Sequence, residues 1–166
     1  DPCCTTLAPL GSPVVVTGTL RMLNVDGVNS DGVVSIQPDA AIGVLSLGSI
    51  KTADIEGSVD HLIVVGKSDA VAHDGARIGQ ATLGDSCADL VINANSSVGD
   101  VDAPFEAQVS GEGAGGTRVT ITGDEGAAEQ RHGTLLEAAN DDAAWEDAIA
   151  ALTGTATTQQ AKAPAG

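Results

Sequence analysis

Tyrosine is absent from the chain, and there is one phenylalanine, Phe105, and one tryptophan, Trp145. Large aromatic anchors each bury roughly 150–250 Å². A core without them has to be assembled from small aliphatic side chains in repeated layers. The same scarcity argues against an aromatic-lined site for a sugar ring or a nucleobase. It also argues against a compact protein-binding epitope, because binding hot spots are rich in Trp, Tyr and Arg.

Basic residues are also few. There are 7 Lys and Arg against 23 Asp and Glu, for a formal net charge of −16. Phosphate backbones would be repelled, which excludes nucleic acid as a partner. An anionic membrane surface is disfavoured on the same ground. The acidic balance reads first as a solvated surface and second as a means of binding cations. No apolar run approaches the ~18–20 residues of a membrane span, so no membrane insertion is expected. The chain starts at Asp1 rather than Met, which reads as loss of a leader or as a fragment. A secreted (extracellular) or virion protein fits these features.

Cysteine is limited to Cys3, Cys4 and Cys87, with no Cys-x-x-Cys and no histidine at ligand spacing from Cys3 or Cys4. A zinc site is therefore not expected. A bridge between adjacent cysteines is strained, given the usual Cα separation of roughly 4.4–6.8 Å. The expected arrangement joins Cys3 or Cys4 to Cys87 and leaves the other free or tied to another subunit. The alternative is three reduced, packed thiols.

What the chain does contain is a restated phrase: "IGVLSLGSIKTADIEGSV" at 42–59, "ARIGQATLGDS" at 76–86 and "SSVGDVDA" at 96–103. Ile42, Val59, Ile78, Val98 and Val119 anchor it, standing 17, 19, 20 and 21 residues apart. Three residues after the first four anchors come Leu45, Leu62, Ala81 and Val101, and five residues after come Leu47, Val64, Leu83 and Ala103. A column eight residues on (Ile50, Lys67, Ser86, Glu106) loses the pattern. A period of roughly 20–30 residues belongs to solenoids, in which one repeat cannot bury its own apolar face. With short β-branched strands and Gly, Asp, Asn and Ser turns, the expected fold is all-β: a parallel β-helix. The alternative is an antiparallel β-sandwich or jelly roll, which "HLIVVG", "DLVINA", "FEAQVSG" and "TRVTITG" also suit.

Four segments follow. Residues 1–13 form a Pro-rich arm that excludes helix. Residues 14–123 form the β body, with strands at 14–18, 19–25 and 33–37 around turn chemistry at 26–32. Residues 134–152 form one helix, with Thr134 and Glu137 as a capping box, Leu135, Ala138, Ala139, Trp145, Ile149 and Leu152 on one face interrupted by Asp142, and Gly154 as the stop. This helix is expected to cap an open end of the body with Trp145 as its wedge, or to dock on a neighbouring subunit. Residues 153–166 form a second arm. The arms and helix supply the expected subunit contacts: Pro2, Leu7, Leu10, Trp145, Gln159 and Gln160.

Chemistry-bearing patterns are sparse. Asn24, Asp26, Asn29 and Asp31 surround two glycines as calcium ligands would, but Val28 and Val33–Val34 break the EF-hand spacing, and a hairpin turn accounts for the same residues. No other cofactor is expected. His73–Asp74–Gly75 invites acid–base work but has no companion nucleophile motif. Asp54/Glu56 and Asp100/Asp102 stand at the spacing that places two carboxylates on one face of a strand, and Asp141/Asp142 are adjacent; carboxylate pairs of this kind serve glycoside cleavage. "GEGAGG" at 111–116 lacks the Lys-Ser/Thr of a phosphate loop.

The sequence thus points to a non-enzymatic structural subunit of an ordered assembly: a filament, surface layer, capsid decoration or tail component. Its expected partners are copies of itself or other structural subunits, met through the terminal arms. The alternatives are a secreted β-helix carbohydrate-active enzyme and a calcium-dependent binding or adhesion module.

Overall fold

The computed structural model describes residues 5–7, 14–84, 88–105, 108–121, 127–139 and 141–157; within these, side chains are described except at 5–7, 26–31, 114, 127–128 and 151–157. The described residues form eleven strands: β1 Thr5–Leu7, β2 Val14–Val16, β3 Thr19–Ile36, β4 Ala41–Ile55, β5 Ser58–Val64, β6 Asp69–Ala72, β7 Arg77–Leu83, β8 Asp89–Ile92, β9 Ser97–Ala103, β10 Val109–Ser110 and β11 Arg118–Ile121. Two helices follow, α1 Ala127–Ala138 and α2 Asp142–Thr157.

Every strand pair among the described residues is parallel. That excludes the sandwich. The chain is a β-solenoid of about 5 turns, the expected β-helix. One face stacks β1, residues 19–25 of β3, residues 41–47 of β4, β5, β7, β9 and β11. The other stacks β2, the end of β3, the end of β4, β6, β8 and β10.

The repeated phrase is this first face. Ile42 pairs with Val59, Val59 with Ile78 and Ile78 with Val98; Leu45 pairs with Leu62, Leu62 with Ala81 and Ala81 with Val101. These side chains are buried, as are Leu47, Val64, Leu83 and Ala103. Across the narrow interior stand Val34, Ala53, Ala70 and Leu90, and beside them Ile36, Ile55, Ala72 and Ile92, all fully buried. Alanine beside leucine or isoleucine lets opposed faces interdigitate without voids.

Glycine recurs just after the anchor because adjacent turns approach there. A Cβ on Gly43 would sit 2.5 Å from the Arg21 carbonyl oxygen, and one on Gly79 2.8 Å from that of Asp60.

The ladder departs from sequence spacing in three places. Val119 lies opposite Val101, not Val98, because the last repeat is shorter: Val101 pairs 18 residues on, whereas Ile78 pairs with Val98, 20 residues on. The column after Ile50 breaks because Lys67 points outward and buried Ser68 takes the interior position. The Ser68 hydroxyl donates to the Gly48 carbonyl at 2.5 Å and accepts from the Ile50 N–H at 3.2 Å.

Residues 26–32, expected as a hairpin turn, belong to one long strand, β3, that bends from the first face to the second. The two ends of β3 pair with the two ends of β4 and not with each other. Between Val25↔Leu47 and Val33↔Thr52 the β3 side is longer, and register shifts absorb the excess. Asp, Asn and Gly supply the backbone freedom such bulges need.

The expected single helix at 134–152 is two helices. Asp141 breaks it by capping α2: its Oδ1 accepts from the N–H groups of Ala143 at 3.0 Å and Ala144 at 3.2 Å. Thr134 is an interior residue of α1, and α2 continues past Gly154. The pair does not cap an end of the solenoid. It lies across the outer surface of the first face, where Met22, Val44 and Ile63 form a second apolar cluster with Leu135, Ala138, Ala139 and Ala148. Trp145 packs against that cluster within its own chain. No helix among the described residues is long and apolar enough to cross a membrane.

Candidate functional site

A set of polar side chains lies where α1 crosses the first face. Outward positions on successive turns are Ser46, Ile63, Thr82 and Asp102 in one row, and His61, Gln80 and Asp100 in the next. In-register parallel stacking places each over the last. α1 brings Arg131 and His132 onto these rows.

Each group from α1 meets a partner on the sheet. Arg131 Nη1 bonds Thr82 Oγ1 in a short contact and Asp102 Oδ2 at 3.1 Å. His132 Nδ1 lies 2.7 Å from Ser46 Oγ. His61 is buried, and that burial pushes its imidazole below the ordinary value of 6.5; Asp60 and a hydrogen bond to Gln80 oppose the shift, while Arg131 adds to it. His61 is thus held toward its neutral form beside a permanent cation.

Farther along, Arg21 Nη1 donates to the Ala139 carbonyl at 2.9 Å and Nη2 to Asp142 Oδ1 at 2.6 Å. Its guanidinium carbon lies 5.7 Å from the Trp145 ring centroid.

Ser46 with His132 has the composition of a nucleophile and base. Ser46, however, is 1% exposed, closed beneath the helix. A serine nucleophile needs substrate access and oxyanion donors. Here the contact fastens α1 to the sheet.

The sequence-selected carboxylates are dispersed by the fold. Asp100 and Asp102 do share one face of β9, but Asp102 is engaged by Arg131 and Asp100 lies 3.6 Å from Arg118 Nε. Asp54 and Glu56 do not form a row, because β4 ends at Ile55; Asp54 instead faces His73 Nε2 at 2.9 Å. Asp141 and Asp142 serve α2 and Arg21, as described. One carboxylate pair stands outside these. Asp69 and Asp89 are stacked in register on β6 and β8, and burial together with the Asp69 charge and hydrogen bond raises Asp89 above the ordinary value.

Of the four residues read as calcium ligands, Asn24 is buried in β3, while the side chains of Asp26, Asn29 and Asp31 lie outside the described set. Among the described residues no group of three His, Cys, Asp or Glu side chains is placed to hold a metal ion. Cys3, Cys4 and Cys87 lie outside the described residues, as do Pro2, Leu10, Gln159 and Gln160. Leu7 occupies the register position opposite Val25 of its own chain.

Arg21, Ser46 and Arg131 were not legible as functional positions in the sequence. Their partners stand 121, 86 and 49 or 29 residues away, and no local motif announces such pairings. No protein-family model matches the chain, and comparison with curated proteins and with solved structures finds no match.

Proposed function

We propose that the chain is a non-enzymatic structural subunit of an ordered extracellular or virion assembly built from copies of itself. The observation that carries this reading is the use to which the polar groups beneath the helix pair are put. Arg21, Ser46, Asp102, Arg131 and His132 all brace α1 and α2 against the solenoid wall. Behind that wall, unbroken aliphatic columns run from turn to turn. Side chains engaged in this way supply rigidity, the property a load-carrying subunit needs.

In this reading the ladder and its columns form the body, and the outer helix pair stiffens one face. Persistence outside a reducing compartment would be aided by a covalent tie through Cys3, Cys4 or Cys87. Electron microscopy of native material, with and without reductant, is the test. Ordered polymers or particles carrying this chain as the repeating unit are the expected result. Loss of order on reduction would assign the cysteines a place between subunits. A monodisperse monomer under all conditions would overturn the reading.

A further inference from the structure

The two ends of the solenoid are complementary. On the last turn, β11 pairs with β9 and β10 with β8; on the first, β1 and β2 pair with β3. Among the described residues no strand lies on the opposite edge of any of these four. Among the described residues both ends therefore present parallel edges from the same two faces with no strand beyond them.

Among the described residues, exposed large apolar side chains fall mostly at these ends. The large apolar side chains exposed among the described residues are Val15, Phe105, Ile121 and Leu136. Val15 is on the first turn; Phe105 and Ile121 are on the last. Ile121 stands in register with Ala103 of β9. Ala103 is fully buried, yet Ile121 is 48% exposed. An interior position is open there, and among the described residues no further turn covers it.

The backbone is equally poised. The carbonyls of Leu47 and Val64 accept from the next turn, from Val65 and Gly84, each at 2.8 Å. Ile121 continues that column, so its carbonyl faces the free edge. At the other end the Val16 carbonyl accepts from Gln37 at 3.0 Å. The alternation of an extended strand then turns the Val15 N–H and carbonyl away from β3.

From this we infer, resting on the structural reading above, that a second copy of this chain stacks its first turn on the last turn of the one before it. Continuing the columns sets Val119 and Ile121 of β11 opposite Thr5 and Leu7 of β1 in the next copy. On the second face it sets Val109 opposite Val14. One translation along the axis satisfies both faces, because every strand is parallel. The contact is head-to-tail and does not close on itself, so it propagates into a filament. An unpaired strand edge is a template for another chain unless it is blocked, and β10 and β11 contain neither Pro nor Lys.

The test uses two variants of the full chain, each blocking one end. Ile121→Lys puts a charge at the open interior position. Val15→Pro removes the N–H that faces the free edge while keeping the Val16 contact to β3. Melting curves followed by Trp145 fluorescence establish that both are folded; a variant that is not is replaced by Ile121→Glu or Val15→Lys. Sedimentation and electron microscopy then read assembly. Wild type is expected to polymerise and each variant to remain a single chain. An equimolar mixture is expected to give dimers and nothing longer, since each variant keeps one good end. Variants that polymerise like wild type, or folded variants whose mixture stays monomeric, would overturn head-to-tail stacking while leaving a structural role through other surfaces intact. A wild type that never assembles would overturn both.

Discussion

Arg21 Nη2 and Asp142 Oδ1 lie 2.6 Å apart although 121 residues separate them in sequence. Asp142 is 84% exposed and Arg21 23%. An ion pair this open to water contributes less than about 1 kcal/mol. Arg21 does more, because it also caps the Ala139 carbonyl and stacks on Trp145. Asp142→Ala is therefore expected to destabilise by under ~1 kcal/mol, and Arg21→Ala by ~1–3 kcal/mol. Trp145 is the single tryptophan, so its emission in a denaturant titration reports release of α2 directly. Equal effects of the two substitutions would show that the ion pair, and not the carbonyl and ring contacts, holds the helices.

Two glycines test opposite consequences of one substitution. Gly43→Ala would place its methyl 2.5 Å from the Arg21 carbonyl oxygen, a backbone atom fixed by the ladder. Overpacking of that kind costs ~1–3 kcal/mol. Gly133 lies within α1 with nothing within 4 Å of a Cβ, and Gly133→Ala is expected to stabilise by ~0.5–1 kcal/mol through helix propensity. Thermal melts of both variants check the pair. A Gly43→Ala protein as stable as wild type would mean that adjacent turns can separate at this position.

These positions also show why the sequence was only partly readable. From 42 to 103 the turns have nearly constant length, so the columns through Ile42, Leu45 and Leu47 could be followed by spacing alone. Where length changes, spacing fails: the last repeat shortens to 18 residues and sets Val119 opposite Val101, and the bend of β3 uses turn-forming residues that read as a break between two strands. The helix was legible as a helix but not in its place. A signal for that place was present. Met22–Leu23 and Val44–Leu45 are consecutive buried apolar residues in strands, and a strand with successive side chains on opposite faces needs cover on both. On later turns the outer positions are Gln80, Thr82, Asp100 and Asp102, which read as one-sided. The pins themselves, Arg131 to Asp102 and His132 to Ser46, depend on how the helix crosses the sheet, and nothing local encodes that.

Asp89 carries a pH dependence of unusual sign for a carboxylate. Burial and then Asp69 raise it above the ordinary value of 3.8. The folded state holds that proton more tightly than the unfolded chain. Its contribution is fully present below the unfolded value and is lost as pH rises through the folded one. Asp89→Asn is expected to increase stability at neutral pH relative to wild type and to remove that decline. Because Asp69 is stacked on the same edge, Asp69→Asn should return Asp89 toward its ordinary value and reproduce part of the gain. Unfolding midpoints of the three proteins across the acidic range check this. A loss of stability in Asp89→Asn at neutral pH would contradict it.

His61 predicts the opposite slope in a higher window. Burial, assisted by Arg131, lowers its folded value below 6.5 against the opposing effects of Asp60 and Gln80. The unfolded chain then binds the proton more readily than the fold does. Stability is fully present above the unfolded value and is lost as pH falls through the folded one. The cost falls on α1, because a protonated His61 would share the sheet with Arg131, which α1 needs for its contacts to Thr82 and Asp102. Acidification below 6.5 should therefore loosen the helix pair before the solenoid, seen as a change in Trp145 emission that precedes loss of the β signal in far-ultraviolet dichroism. His61→Gln keeps a polar side chain beside Gln80 without the titration. It is expected to flatten the Trp145 response across this window, with wild-type behaviour above it. An unchanged acid response in His61→Gln would move the trigger to another group, and the comparison with His132→Gln, which removes the contact to Ser46, would show whether it is the second histidine of this surface.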